Sequence, residues 1–210
     1  MPTIGLATFL KILGKSSPQK VSEYGKYLKP GGYNFYHSLL DAAFAHTVGG
    51  DDYDGCLERI KGIPSPVEQK YNLAAFKELK KWITKSGAGE FFAPPTVLVT
   101  SPKEHLKVKI QPAFGCIING ERWLLPLWYA KDATLSNAAI SLGKRMMEVH
   151  LAVEAYAECK VGILDLQRRK VLSPQPDPLA MDLLLSHEFA WVDSFFETQK
   201  NQGKKAAEAA

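Results

Sequence analysis

The chain has 210 residues, 46% of them hydrophobic and 23% charged, which describes a soluble globular protein of one domain or of one domain with an appendage. No apolar run approaches the roughly 18 residues that span a bilayer, and the apolar patch at 4–13 lacks a basic leader and is broken by Lys11, so neither a membrane segment nor a secretory leader is expected. Lys and Arg outnumber Asp and Glu by 26 to 22, a net +4 that permits a polyanion partner without requiring one.

Residues 1–88 read as helices joined by short breaks. Thr3 is placed to cap a first helix reaching Leu13. Ser17 and Pro18 supply a cap and a proline for the first turn of a second, which Lys29-Pro30-Gly31-Gly32 stops. A third spans 34–47 and ends at Gly49-Gly50, and a fourth covers 53–60. Ser65, Pro66 and Glu68 form a capping box that opens a helix to about residue 85, with Leu73, Phe76, Leu79 and Ile83 along one stripe. Residues 86–89 then break the pattern.

From Glu90 the period becomes extended. A β-rich run at 96–100 precedes residues 106–131, which read as one antiparallel hairpin about Asn119-Gly120, since both residues tolerate the positive φ of a type I′ turn. A two-residue turn pairs Ile118 with Glu121 and Ile117 with Arg122, and so on down the ladder. Alternation then puts Ile110, Pro112, Phe114, Cys116, Ile118, Trp123, Leu125, Leu127 and Tyr129 on one face, which reads as core. The other face carries Gln111, Ala113, Gly115, Ile117, Arg122, Leu124, Pro126, Trp128 and Ala130. It is mixed and partly small, open to a helix or a ligand.

A helix over 135–158 follows, read as the longest, with Leu135, Ala139, Leu142, Met146, Val149, Val153 and Tyr156 on one face. Residues 161–166 read as a buried strand, with Val171-Leu172 pairing after a basic turn. Asp177-Pro178 caps a last helix to about 198. The fold class is therefore α/β (α+β): a helical N-terminal region at 1–62, then a mixed β-sheet core of order αβββαβ flanked by helices at 63–199, and a flexible tail at 200–210.

That element order, together with Pro112-Ala113 and Pro126-Leu127-Trp128 on the hairpin, resembles the PD-(D/E)XK nuclease-like (restriction-endonuclease-like) superfamily over residues 66–172. The resemblance implies an Asp on the middle strand and a Glu-x-Lys on the next, holding divalent metals that activate water. Ala113, Pro126 and Trp128 stand at those positions. The turn register independently places Ala113 opposite Pro126, where two carboxylates would converge on a metal. None of the three can do that work, so the resemblance implies the scaffold without its chemistry: a degenerate member, more readily non-catalytic than an enzyme, with no cofactor.

The alternative is a relocated Mg²⁺ site using Glu148 or Asp165 with Lys144 as its lysine; Glu121, Asp132 and Lys131 were weaker candidates. Ordinary surface charge is the simpler account of all of them. His150 and Glu154 are four apart but fall short of a metal-ligand set, and His37, His46, His105 and His187 lack partner spacing. GxSxG, Walker A and GxGxxG are absent. Cys56, Cys116 and Cys159 form no CxxC pair and suit reduced, buried thiols of a cytoplasmic protein.

Two basic features remain. Arg168, Arg169 and Lys170 follow the last core strand, where they could meet phosphates. Lys11, Lys15, Lys20, Lys26 and Lys29 interleave with Tyr24, Tyr27, Tyr33 and Tyr36, and lysines bind phosphate while tyrosines stack on unpaired bases. A solvated lysine face over an aromatic-edged core explains the second feature equally. Three readings stay open: a non-catalytic protein that binds DNA, RNA or a protein partner; a metal-dependent nuclease with a moved site; and a structural or homodimeric protein docking through the mixed hairpin face and Trp128.

Overall fold

In the computed structural model, which describes residues 1–28, 35–130, 135–175 and 177–208 (side chains to 202), Asn119 and Gly120 adopt φ of 51° and 79°. These are the signs a type I′ turn requires. The turn sets the register of β5 (Phe114–Ile118) against β6 (Glu121–Leu125), pairing Ile118 with Glu121 and Phe114 with Leu125 as expected. The outer neighbour of β5 is β2 (Gly89–Phe92), antiparallel to it. Gly115 makes this pairing possible, because a Cβ there would lie 2.1 Å from the Phe92 ring.

On the other side, β6 runs parallel to β8 (Lys160–Val161), giving the order β2-β5-β6-β8. Beyond Pro126 the chain resumes as β7 (Leu127–Trp128), parallel to β9 (Ile163–Asp165), which pairs antiparallel with β10 (Lys170–Leu172). Leu124 O, Pro126 O and Trp128 O accept from Gly162 N, Leu164 N and Leu166 N at 3.4, 3.0 and 3.0 Å. Pro126 can accept but cannot donate, and that missing N–H divides an otherwise continuous parallel run into two.

A third sheet was not foreseen. Thr3, expected to cap a helix, instead opens β1 (Thr3–Gly5), which lies parallel to β4 (Lys107–Ile110). The strand expected at 96–100 is β3 (Val97–Thr100), which pairs antiparallel with β4, so β4 leaves the stretch 106–131 that reads as one hairpin and joins this sheet instead. Gln111-Pro112-Ala113 separates β4 from β5, since proline has no N–H to continue a ladder. The break also resets the alternation. Ile110 therefore packs with Val108 and Ile4, away from Phe114.

Helices cover both faces of the sheets. On one lie α1 (Leu6–Leu13), α2 (Ser17–Gly25), α6 (Asn137–His150) and α7 (Pro178–Glu208). Their core holds Phe9, Leu10, Leu142, Met146, Val192 and Phe196 against Leu124, Trp128 and Ile163. On the other lie α3 (His37–Thr47), α4 (Tyr53–Lys61) and α5 (Pro66–Ser86), whose core joins Leu39, Cys56, Phe76 and Leu79 to Phe114, Cys116, Leu125 and Leu164. The hairpin face expected to be mixed buries Leu124 and Trp128 in the first core, while Arg122 stays exposed, Ile117 is half-buried and Ala113 joins the second core.

Caps explain most of the boundaries. Ser65 Oγ accepts from Glu68 N at 3.4 Å to open α5, and Gly87 at φ 68° closes it. Asp52 Oδ1 accepts from Gly55 N at 2.7 Å, and Asp177 Oδ1 from Leu179 N at 3.0 Å. Two helices depart from expectation. α6 is shorter than α5 and α7 and ends at His150, where Leu151 N and Ala152 N both turn in on Met147 O. Val153 is already extended there and Glu154 takes φ 52°, so Tyr156 lies off the helix. α7 continues past Thr198 to Glu208, through much of the segment expected to be a tail. The stop expected at Lys29-Pro30-Gly31-Gly32, and Tyr33, Asn34, Lys131 and Asp132, lie outside the described residues.

Candidate nucleic-acid interface

Ala113 and Pro126 sit one step past the last hairpin pair, Phe114 with Leu125. Both are buried, as is Trp128. A methyl, a pyrrolidine ring and an indole offer no oxygen to a divalent cation, so these residues do not fit a metal. Among the described residues no three His, Cys, Asp or Glu side chains come together.

The relocated candidates are each engaged with protein partners. Asp165 is buried; its Oδ1 accepts from Gln167 N and Arg168 N at 3.0 and 3.1 Å, and its Oδ2 from Arg168 Nη1 at 3.2 Å. It caps the turn into β10. Glu148 pairs at 2.7 Å with Lys144, whose buried ammonium also donates to Gln175 at 3.4 Å. His150 does not meet Glu154 on a helix face, because α6 has ended; burial, and then the Arg145 cation, hold its pKa below the ordinary value. Burial pushes the Cys116 thiol up to about 12, and all three cysteines are free and buried.

Of the N-terminal cations, Lys20 turns inward, while Lys11 and Lys26 stay exposed. Lys20 pairs with the buried Glu188, which accepts from Tyr24 Oη at 3.4 Å, and its ammonium lies 5.9 Å from the Trp191 ring. Tyr24 is itself fully buried, and burial with the Glu188 charge pushes its hydroxyl far above the usual range. Lys26 binds Glu23 at 2.7 Å. Lys20 and Tyr24 thus fasten α2 to α7 through Glu188.

A different basic surface forms around α5. Its apolar stripe is buried, which leaves Lys70, Lys77, Lys81 and Lys85 exposed. Spacings of 7, 4 and 4 put them on one side of the helix, over about 22 Å at 1.5 Å per residue. Lys81 binds Glu78 at 2.6 Å, and Glu78 reaches Arg169 at 3.7 Å. Arg169 stands in the β9–β10 turn at φ 53°, beside the exposed Lys170. The turn arginines and the helix lysines therefore meet at the carboxyl ends of β7 and β9, the side on which ligands of open α/β sheets bind.

Half-buried tyrosines adjoin this surface. Tyr36 and Tyr129 pack edge-to-face with centroids 6.2 Å apart, and Tyr71 lies 5.9 Å from Phe35. Burial raises the Tyr129 hydroxyl, with Glu78 and Tyr71 adding to it, and burial raises Tyr36 to about 12. A cleft of about 290 Å³ opens at the end of the stripe, lined by Trp82, Lys85, Ser86 and Arg169. Of the cations expected at an interface, the structure brings Arg169 and Lys170 to this surface and holds Arg168 in the adjoining turn. The α5 lysines were overlooked, although their spacing opposite Leu73, Phe76 and Leu79 is present in the sequence. No family model matches the chain, and no curated protein or solved structure is significantly similar to it.

Proposed function

We propose that the protein binds a nucleic-acid backbone, without cleaving it, through the face made by α5 and the β9–β10 turn. The observation that carries this reading is the row Lys70, Lys77, Lys81 and Lys85, continued by Arg169 and Lys170, in which, among the described residues, only Glu78 takes up charge. Cations in a row release counterions from phosphates and give affinity without regard to sequence. Tyr36, Tyr71 and Tyr129 beside them are half-buried aromatic rings on whose open faces unpaired bases would stack, which favours a single strand.

On a degenerate PD-(D/E)XK-like scaffold, the apolar Ala113, Pro126 and Trp128 favour a non-catalytic reading. Three free buried cysteines suit a reducing, cytoplasmic setting. Among the described residues no helix is long and apolar enough to cross a membrane.

Fluorescence anisotropy of labelled single- and double-stranded DNA and RNA over a salt series tests this, with and without Mg²⁺. Binding that weakens steeply with salt, is stronger for single strands and leaves the label intact is the expected result. Unchanged affinity in Lys77→Ala/Lys81→Ala/Lys85→Ala would remove α5 from the interface. Metal-dependent cleavage would overturn the non-catalytic reading.

A further inference from the structure

The cleft at the C-terminal end of α5 has features that the lysine row alone lacks. Three segments build it: the last turn of α5 gives Trp82 and Lys85, Ser86 closes the helix, and the β9–β10 turn gives Arg169. Each presents a donor. Among the described residues every fully buried side-chain nitrogen and oxygen has a hydrogen-bond partner. The indole N–H of Trp82 makes no hydrogen bond among the described residues, and Trp82, 4% exposed, lines the cleft. The Trp82 ring packs on Phe114 at 6.0 Å and is held in place.

Lys85 has no ion-pair partner among the described residues. Arg169 shares Glu78 with Lys81 at 3.7 Å, longer than a direct hydrogen bond, and keeps most of its guanidinium N–H groups for a ligand. Ser86 Oγ accepts from Ala88 N at 3.2 Å and makes a long 3.5 Å contact to Ile83 O, so its proton can turn to a better acceptor. The C-terminal dipole of α5 brings about half a negative charge, which the two cations outweigh. Arg169 occupies the left-handed region, where a non-glycine side chain costs about 1 kcal/mol, and this conformation sets the guanidinium over the cleft.

We infer that this cleft binds a phosphate monoester. Its side chains offer a hydroxyl, an ammonium and a guanidinium beside the Trp82 ring, with no carboxylate among the four lining residues. With Glu78 set against Lys81, the uncompensated charge belongs to Lys85 and Arg169. That matches the charge of about −1.5 to −2 on a monoester near pH 7 better than the single charge of a diester. The shared chemistry covers a strand's terminal phosphate and a small phosphorylated molecule. The first deepens, and rests on, the nucleic-acid reading of the α5 face; the second stands without it.

The test is two-dimensional ¹H–¹⁵N NMR of the indole N–H groups in the full chain. Trp82 is assigned by its loss in Trp82→Phe, and Trp123, Trp128 and Trp191 serve as internal controls. Titrated inorganic phosphate should move the Trp82 resonance saturably, while sodium chloride at equal ionic strength should not. Lys85→Ala/Arg169→Ala should abolish the movement with the other three indoles in place, and Arg169→Lys should keep part of it. A Trp82 shift no larger than those of the other indoles overturns the proposal.

A second arm compares 5′-phosphorylated with 5′-hydroxyl oligonucleotides by anisotropy. Tighter binding of the phosphorylated strand by fivefold or more, lost in the double variant, assigns the cleft to strand ends. A phosphate response with equal strand affinities assigns it to small phosphate esters. Hydroxyl-ended strands that bind with no Trp82 response retain the nucleic-acid reading and overturn the cleft.

Discussion

On the side of the sheets covered by α1, α2, α6 and α7, charged groups close on one another. Lys20 meets Glu188, Lys144 meets Glu148, and Arg145 grips Asp182 through two 2.8 Å bonds. Asp193 accepts from Ser101 Oγ at 2.6 Å and from Lys103 N at 2.9 Å. On the side covered by α3, α4 and α5, the lysines of α5 stand in solvent with Glu78 nearly alone among them. Similar residues are placed differently: in one region charge fastens a C-terminal helix to the body, and in the other it stays exposed to solvent. A count of basic residues does not separate these cases. Burial and pairing do.

The comparison breaks first at Glu188. Glu188→Ala leaves Lys20 at a desolvated site without its carboxylate and should cost about 3 kcal/mol in urea unfolding, with strand affinity unchanged. Reduced affinity at unchanged stability would move Lys20 to the interface. Gly115→Ala should cost about 2 kcal/mol, because its methyl displaces the Phe92 ring, on which Arg122 lies at 4.5 Å. Equal urea midpoints for variant and parent would show β2 to be loosely held.

Next comes the exposed side. Lys77→Ala/Lys81→Ala/Lys85→Ala should weaken strand binding by more than tenfold at low salt and flatten the log–log salt slope by about 2 to 3, with little change in melting temperature. Arg169→Gly should part stability from binding: relief of the 53° φ adds about 0.5–1 kcal/mol while affinity drops. A variant that loses both would make Arg169 a structural residue.

The smallest effect is in acid. The folded pKa of His150 is lowered, so the unfolded chain takes up its proton first, and stability falls as pH drops below about 6.5. Arg145 lowers the Asp182 carboxyl, whose contribution is complete above about pH 4 and is lost as pH falls through the folded value. Melting curves against pH should show both declines; His150→Gln should remove the first and Asp182→Asn the second.

Local chemistry made much of this legible in advance. Asn119-Gly120 fixed the hairpin register to the residue pair, Ser65-Pro66 and Gly87 bounded α5, and Val171-Leu172 pairs with β9 as its pattern implies. Where long-range partners decide, legibility ended. Thr3 suits a helix cap and a strand equally, and only the nearby edge of β4 selects the strand. Val149 and Val153 continue a helical stripe, yet the chain turns at Leu151 to bring β8 alongside β6. Pairing is hidden for a similar reason: Lys20 and Tyr24 have the composition of a binding surface, and the docking of α7 buries Tyr24 and sets Lys20 against Glu188.

By itself the sequence determined what depends on a residue and its near neighbours: turns that need positive φ, helix caps, the helical and alternating periods, and the lysine spacing along α5. Only the tertiary structure decided which strand joins which sheet, which hairpin face is core, and which cations remain free. Those outcomes depend on groups brought together from far along the chain, and neither desolvation nor ion pairing is set by local spacing.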